Sequence, residues 1–117
     1  MNFIERNEKL AFLKQEYYFE KVKQQLSKDI NDAEFDIEVN RISIQRSLFL
    51  LNLVQHFLEQ IFHDNVHMFY QLMYRIDIPD ADFKMQVSDS GINFETLTDL
   101  VLRRELIKVL FREKYSG

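Results

Sequence analysis

Apolar residues recur every three to four positions along most of this chain, the spacing that lines one face of an α-helix. The pattern is densest over 40–64, where Ile42, Phe49, Leu50, Leu53, Val54, Phe57, Leu58, Ile61 and Phe62 spread round most of the circumference. Only one narrow strip stays polar: Arg41, Gln45, Asn52, His56, Glu59 and His63. A helix written this way is expected to be buried on nearly every other side. It does not read as a membrane span. Residues 48–62 include Asn52, Gln55, His56, Glu59 and Gln60, whereas a span needs about 20 predominantly apolar residues.

The remaining segments read as further helices with short joins. A first helix is predicted over 3–27, with Glu5, Lys9, Glu16, Glu20 and Lys23 on its exposed strip. It carries two apolar stripes: Phe3, Leu10, Leu13 and Tyr17 on one side, and Ile4, Ala11, Tyr18, Val22 and Leu26 on another. Turn chemistry follows at 28–32, where Asn31 with Glu34 three residues later forms a variant of the capping box and a helix restarts near Asp32. Phe35, Ile37 and Val39 alternate with polar residues, which is a strand pattern. Phe35, Val39 and Ile42 also keep helical spacing and run on without a breaker, so the segment is read as helix.

Asp64 and Asn65 are cap residues for a helix through Val66, Phe69, Tyr70, Met73 and Ile76. Pro79 suits the first turn of a short helix over 79–88, with Asp80 and Asp82 near its positive end and Gly91 placed to stop it. The rival reading is a strand through Phe83, Met85 and Val87. A last helix is predicted over 93–115, with Leu97, Leu100, Ile107 and Phe111 on one side and Leu102, Leu106, Val109 and Leu110 on another. The expected fold is all-α, one domain over 1–117, a bundle of about four to five helices. The alternative is an α+β fold in which 34–40 and 83–88 pair as a small two-stranded element.

Composition supports long helices. Of 117 residues 46% are hydrophobic, and two Gly with a single Pro leave few of the tight turns that an all-β fold needs. Cysteine is absent, which excludes disulfides, a thiolate nucleophile and any Cys-based zinc or iron–sulfur site. The first residues lack the basic start and apolar core of a secretory signal. A cytoplasmic location is the expectation from both features.

Four groups of residues carry candidate chemistry. His56, His63 and His67 with Glu59 have helical spacing and ligand chemistry suited to zinc or iron. Their spacing departs from Glu-x-x-His and from His-Glu-x-x-His, and His56, Glu59 and His63 lie on the strip assigned to water. No metal and no cofactor are therefore expected. A second group is the basic tail: residues 100–117 hold five bases against two acids, +3 in a chain of net charge −4. Arg103, Arg104, Lys108 and Arg112 are the candidate partner-binding residues. They could hold phosphate, but the tail lacks interleaved aromatics, and cations late in a helix complement its dipole without a partner.

If 79–88 and 93–115 formed a helix-turn-helix, the second helix would present Glu95, Thr96 and Asp99 to bases, which is poor chemistry for nucleic acid. Arg104 sits among Leu97, Leu100, Ile107 and Phe111, so it must snorkel or pair with a carboxylate. A third group is the acidic run Asp29, Asp32, Glu34, Asp36 and Glu38, which does not supply both the central Gly and the terminal Glu of a calcium loop; it is read as an exposed helix start, with attraction to the basic tail as the second reading. The aromatics, eleven Phe and five Tyr, form the fourth. Their spacing makes most of them core, with Tyr17, Tyr18, Tyr70 and Tyr74 as candidate pocket residues.

No triad, Gly-rich phosphate loop or paired catalytic carboxylate is legible, so an enzyme is not expected. Helices with more than one apolar side exceed what a small bundle can cover, and the excess marks an association interface. The leading expectation is a non-enzymatic helical interaction or assembly module that forms a homodimer or binds another protein, without nucleic acid or membrane. The alternatives are a metal- or small-ligand-binding domain using the His/Glu strip, and a nucleic-acid-binding regulator using the basic last helix.

Overall fold

The computed structural model describes residues 10–115. A 3-10 turn at Ala11–Lys14 leads into α1, Glu16–Ile30, and α2, Ala33–Asn40. A second 3-10 turn, Ile44–Arg46, precedes α3, Leu48–Asp64, which is followed by α4, Val66–Ile76, and a short α5, Asp80–Lys84. A hairpin of β1, Val87–Ser88, and β2, Gly91–Ile92, then delivers the chain into α6, Phe94–Tyr115. Helix makes up 80% of the structure and each strand is two residues long, so the all-α bundle is the architecture.

The core is one apolar cluster to which every long helix contributes: Phe19, Val22 and Leu26 from α1, Leu50, Val54 and Leu58 from α3, Phe69 and Ile76 from α4. Leu97, Val101 and Leu102 bring α6 against both α1 and α3. Phe69 is an aromatic node, with the rings of Phe62, Phe94, Phe83 and Tyr70 between 5.1 and 6.3 Å from its own in tilted or edge-on geometry. No helix among the described residues is long and apolar enough to cross a membrane.

The polar strip predicted on the central helix is exposed at all six positions. The uninterrupted helix over 40–64 is not formed. The chain breaks between Asn40 and Leu48, with Ser43 in extended backbone (φ −90°, ψ 165°). The break is held by Lys23, predicted exposed but only 5% so, whose ammonium donates to the Ile42 carbonyl at 2.7 Å. A cation from α1 thus satisfies a carbonyl that a continuing helix would have used internally. Nor is α3 buried nearly all round, since Leu48 and Phe49 are 59% and 53% exposed.

The predicted first helix is likewise divided, because Gln15 is extended (φ −108°, ψ 107°) between the 3-10 turn and α1. This turn places Leu10, Phe12 and Leu13 in the core together, which a straight helix would splay round its circumference. Phe3, Ile4, Glu5 and Lys9 lie outside the described residues.

Asn31 is the left-handed C-cap of α1 (φ 52°, ψ 53°) rather than part of a capping box. The N-cap of α2 is Asp32, which accepts from Phe35 N–H at 2.9 Å. Residues 33–40 are helical as read, and Asn65 caps α4 by accepting from Met68 N–H. The helix predicted over 79–88 is cut to α5, with Pro79 at its N-cap. Val87 is in a strand, but its partner is Ile92 and not the 34–40 segment. Gly91 serves that hairpin with φ +116°, a backbone only glycine enters easily, instead of ending a helix.

Candidate functional site

The best-defined site begins in α1 and α6, which pack along one another. Positions 104, 108 and 112 are four apart, so α6 stacks three cations on one face where they would repel unless each found an acceptor. Each does. Arg104 Nη2 donates to Asp77 Oδ2 at 2.6 Å, Lys108 Nζ to Asp29 Oδ2 at 2.8 Å, and Arg112 Nη2 to Gln25 Oε1 at 2.7 Å. Lys108 also donates to the Arg75 carbonyl at 2.9 Å, and Arg75 Nη1 to the Asp29 carbonyl at 2.8 Å. The ends of α1 and α4 are therefore tied through α6 by charge-assisted hydrogen bonds.

Behind these cations lies a carboxyl group with no exposed surface, Glu105. Lys108 Nζ stands 3.9 Å from its Oε1, and among the described residues no group donates to either oxygen within hydrogen-bond distance. A bare carboxylate there would be very costly. The acid form removes most of that cost, because it carries no charge to be buried. Burial, then the neighbouring Asp29 carboxylate, push Glu105 up to about 9, against the pull of Lys108 and Arg104. Burial acts on Asp29 too, but the neighbouring Glu105 together with hydrogen bonds from Lys108 and Gln25 outweighs it and holds Asp29 below the usual carboxylate range. Of the two carboxyls, Glu105 is the neutral one and Asp29 the charged one.

In front of this cluster is an open cleft of about 920 Å³. Its polar wall is Lys28, Arg104, Lys108 and Arg112, four cations against the carboxylates of Asp29 and Asp77. Its apolar wall is Ile107, Phe111 and Tyr115, which remain 47%, 62% and 67% exposed. Phe111 and Tyr115 stack on each other with ring centroids 4.6 Å apart. At the cleft's edge Tyr17 donates to Glu113 at 2.6 Å, and that acceptor holds the phenol's proton on, raising Tyr17 above its ordinary value.

No family model, curated protein or solved structure matches this chain.

Of the four predicted partner-binding residues, the structure gathers Arg104, Lys108 and Arg112 in the cleft and leaves Arg103 exposed outside its lining. Arg104 pairs with a carboxylate, one of the two arrangements its apolar neighbours require. The attraction between the acidic run and the basic tail is realised through Asp29 and Lys108.

The histidine strip is dispersed. His63 contacts Asp64, His67 contacts Gln71, and Glu59 accepts from Gln55. No cluster of three or more His, Asp or Glu suited to a metal ion is found among the described residues. His56 instead borders a second groove of about 430 Å³, between the end of α1, α2, α3 and α4. Its floor includes Phe35, Leu53, Phe57 and Ile61, and its rim carries Asp32, Glu34, Glu38 and Asp64. Of the candidate tyrosines, Tyr17, Tyr70 and Tyr74 are exposed and Tyr18 packs partly against the core.

Sequence reasoning missed Glu105, Gln25 and the burial of Asp29. One signal was present: Glu105 is flanked at helical spacing by Val101, Leu102 and Val109, all buried, so it lies in the middle of the core stripe of α6.

Proposed function

We propose that this protein acts by binding another protein segment, and that the cleft face of α6 is its docking surface. The observation that carries this reading is the strip Ile107, Phe111 and Tyr115, left exposed beside a row of cations. Large aromatic and aliphatic side chains beside Arg are the composition that anchors protein interfaces. Desolvating them would gain roughly 25 cal/mol for each Å² of apolar area covered. Cations outnumber carboxylates in the cleft, so the occupant that fits is acidic with apolar anchors. The cations are already held in place by Asp77, Asp29 and Gln25, which lowers the ordering cost of binding.

Turnover is not part of this reading. Glu105 has no surface on which to meet a substrate, and its role is to hold a proton inside the α1–α6 contact. The test is fluorescence anisotropy with a labelled amphipathic peptide carrying Glu and Leu. Saturable binding that weakens with salt and is lost in an Ile107→Glu/Phe111→Glu variant supports the docking face. Binding unchanged in that variant, or none to the wild type, removes it.

A further inference from the structure

The docking face and the acidic groove are neighbours. Asp29 lines the cleft, and Ile30 and Asp32 line the groove. Arg75 of the groove donates to the Asp29 carbonyl, and Lys108 of the cleft donates to the Arg75 carbonyl. The ends of α1 and α4 therefore form one wall with a depression on either side. The surfaces on its two sides are opposite in chemistry: the groove has an apolar floor of Leu53, Phe57 and Ile61 under four carboxylates, with Arg75 at its end, while α6, the apolar wall of the cleft, offers a ridge of exposed Ile107 and Phe111 among cations.

Resting on the docking face proposed above, we infer that its occupant is a second copy of this chain: the apolar ridge of α6 from each copy enters the acidic groove of the other about a two-fold axis. Adjacent complementary patches suit such a closed pairing, because one rotation brings groove to ridge and ridge to groove at once. Charge decides the orientation. Groove against groove would bring eight carboxylates together with only the two Arg75 side chains, and ridge against ridge would bring eight cations together with four carboxylates; the excess of like charge disfavours both.

Sedimentation of two charge-reversed variants, alone and mixed, tests this. Glu38→Lys/Asp64→Lys reverses the groove at positions that end α2 and α3, where a cation suits the helix dipole, so folding is preserved. Ile107→Glu/Phe111→Glu reverses the ridge at exposed positions. Each variant alone is expected to sediment as a monomer with an unchanged melting temperature. An equimolar mixture is expected to recover the dimer mass, since each altered surface then meets a complementary one. A wild type that remains monomeric at hundreds of micromolar overturns the inference, and peptide binding then decides separately whether the docking face stands. A groove variant that stays dimeric while the ridge variant does not would overturn the groove as occupant and retain the face. Dimers persisting in both variants would overturn the inference, and peptide binding again decides the docking face.

Discussion

Lys108 reaches back 79 residues to place its ammonium 2.8 Å from the Asp29 carboxylate, one helical turn from the buried acid Glu105. The two carboxyls, Asp29 and Glu105, are shifted in opposite directions. Unfolded, Glu105 has its ordinary value of 4.5, and folded it is raised to about 9. Between these values the native state holds a proton that the unfolded state lacks. Its contribution is therefore full below 4.5 and is lost as pH rises toward about 9, at ~1.4 kcal/mol per pH unit. Asp29 runs the other way: its lowered value contributes above 3.8 and is lost as pH falls below that.

Glu105→Gln keeps the shape of the neutral side chain and removes the titration. Urea midpoints of the wild type are expected to fall steadily from 4.5 toward 9, with the Gln variant nearly flat over that window. A wild-type midpoint that holds constant there would mean that Glu105 ionises in place.

Lys108→Met strips Asp29 of its cation while keeping the stem that packs on α6. With Lys108 22% and Asp29 9% exposed, the loss should be about 2 kcal/mol, between the values for surface and buried pairs. Asp29 should also lose its lowered titration, visible by NMR of the carboxyl carbon. An unaltered Asp29 titration would show that Gln25 and Glu105 suffice to hold it.

Asp77 combines two opposing effects. It pairs with Arg104, but at 70% side-chain exposure that pair is worth under about 1 kcal/mol. It also sits in the left-handed region at φ 71°, where glycine is the least strained residue. Asp77→Gly is therefore expected to change stability by less than about 0.5 kcal/mol, whereas Asp77→Val should cost more than about 1 kcal/mol. Denaturant melts of the two variants compare them directly, and equal losses would mean that the ion pair outweighs the backbone.

Phe69→Ala should remove about 3–5 kcal/mol. The ring is fully buried and meets four other aromatic rings, so little can collapse into the space. A loss under about 1 kcal/mol would show that α4 and α5 repack freely.

Much of this fold was legible in the spacing of apolar residues. Val54 and Leu58 of α3, and Leu97 and Leu102 of α6, are core as their positions require, and Asn65 caps the helix it precedes. The breaks were not legible, because neither Gln15 nor Ser43 is a helix breaker. Their extended backbones are selected by tertiary contacts, Leu10 and Leu13 entering the core in one case and Lys23 reaching the Ile42 carbonyl in the other. The hairpin was missed because Gly91 was read as a stop, when its φ of +116° belongs to a turn between two very short strands. At the site, helical spacing already aligned Arg104, Lys108 and Arg112. Their acceptors come from Asp77, Asp29 and Gln25, residues brought close only by folding.

The measurement that bears most directly on the proposed role is the mass of the wild-type chain in solution, followed from micromolar to hundreds of micromolar beside the Ile107→Glu/Phe111→Glu variant. The account predicts a wild-type mass rising from 14.2 kDa to twice that value while the variant stays at 14.2 kDa. Both remaining at 14.2 kDa throughout, or both doubling together, would contradict it.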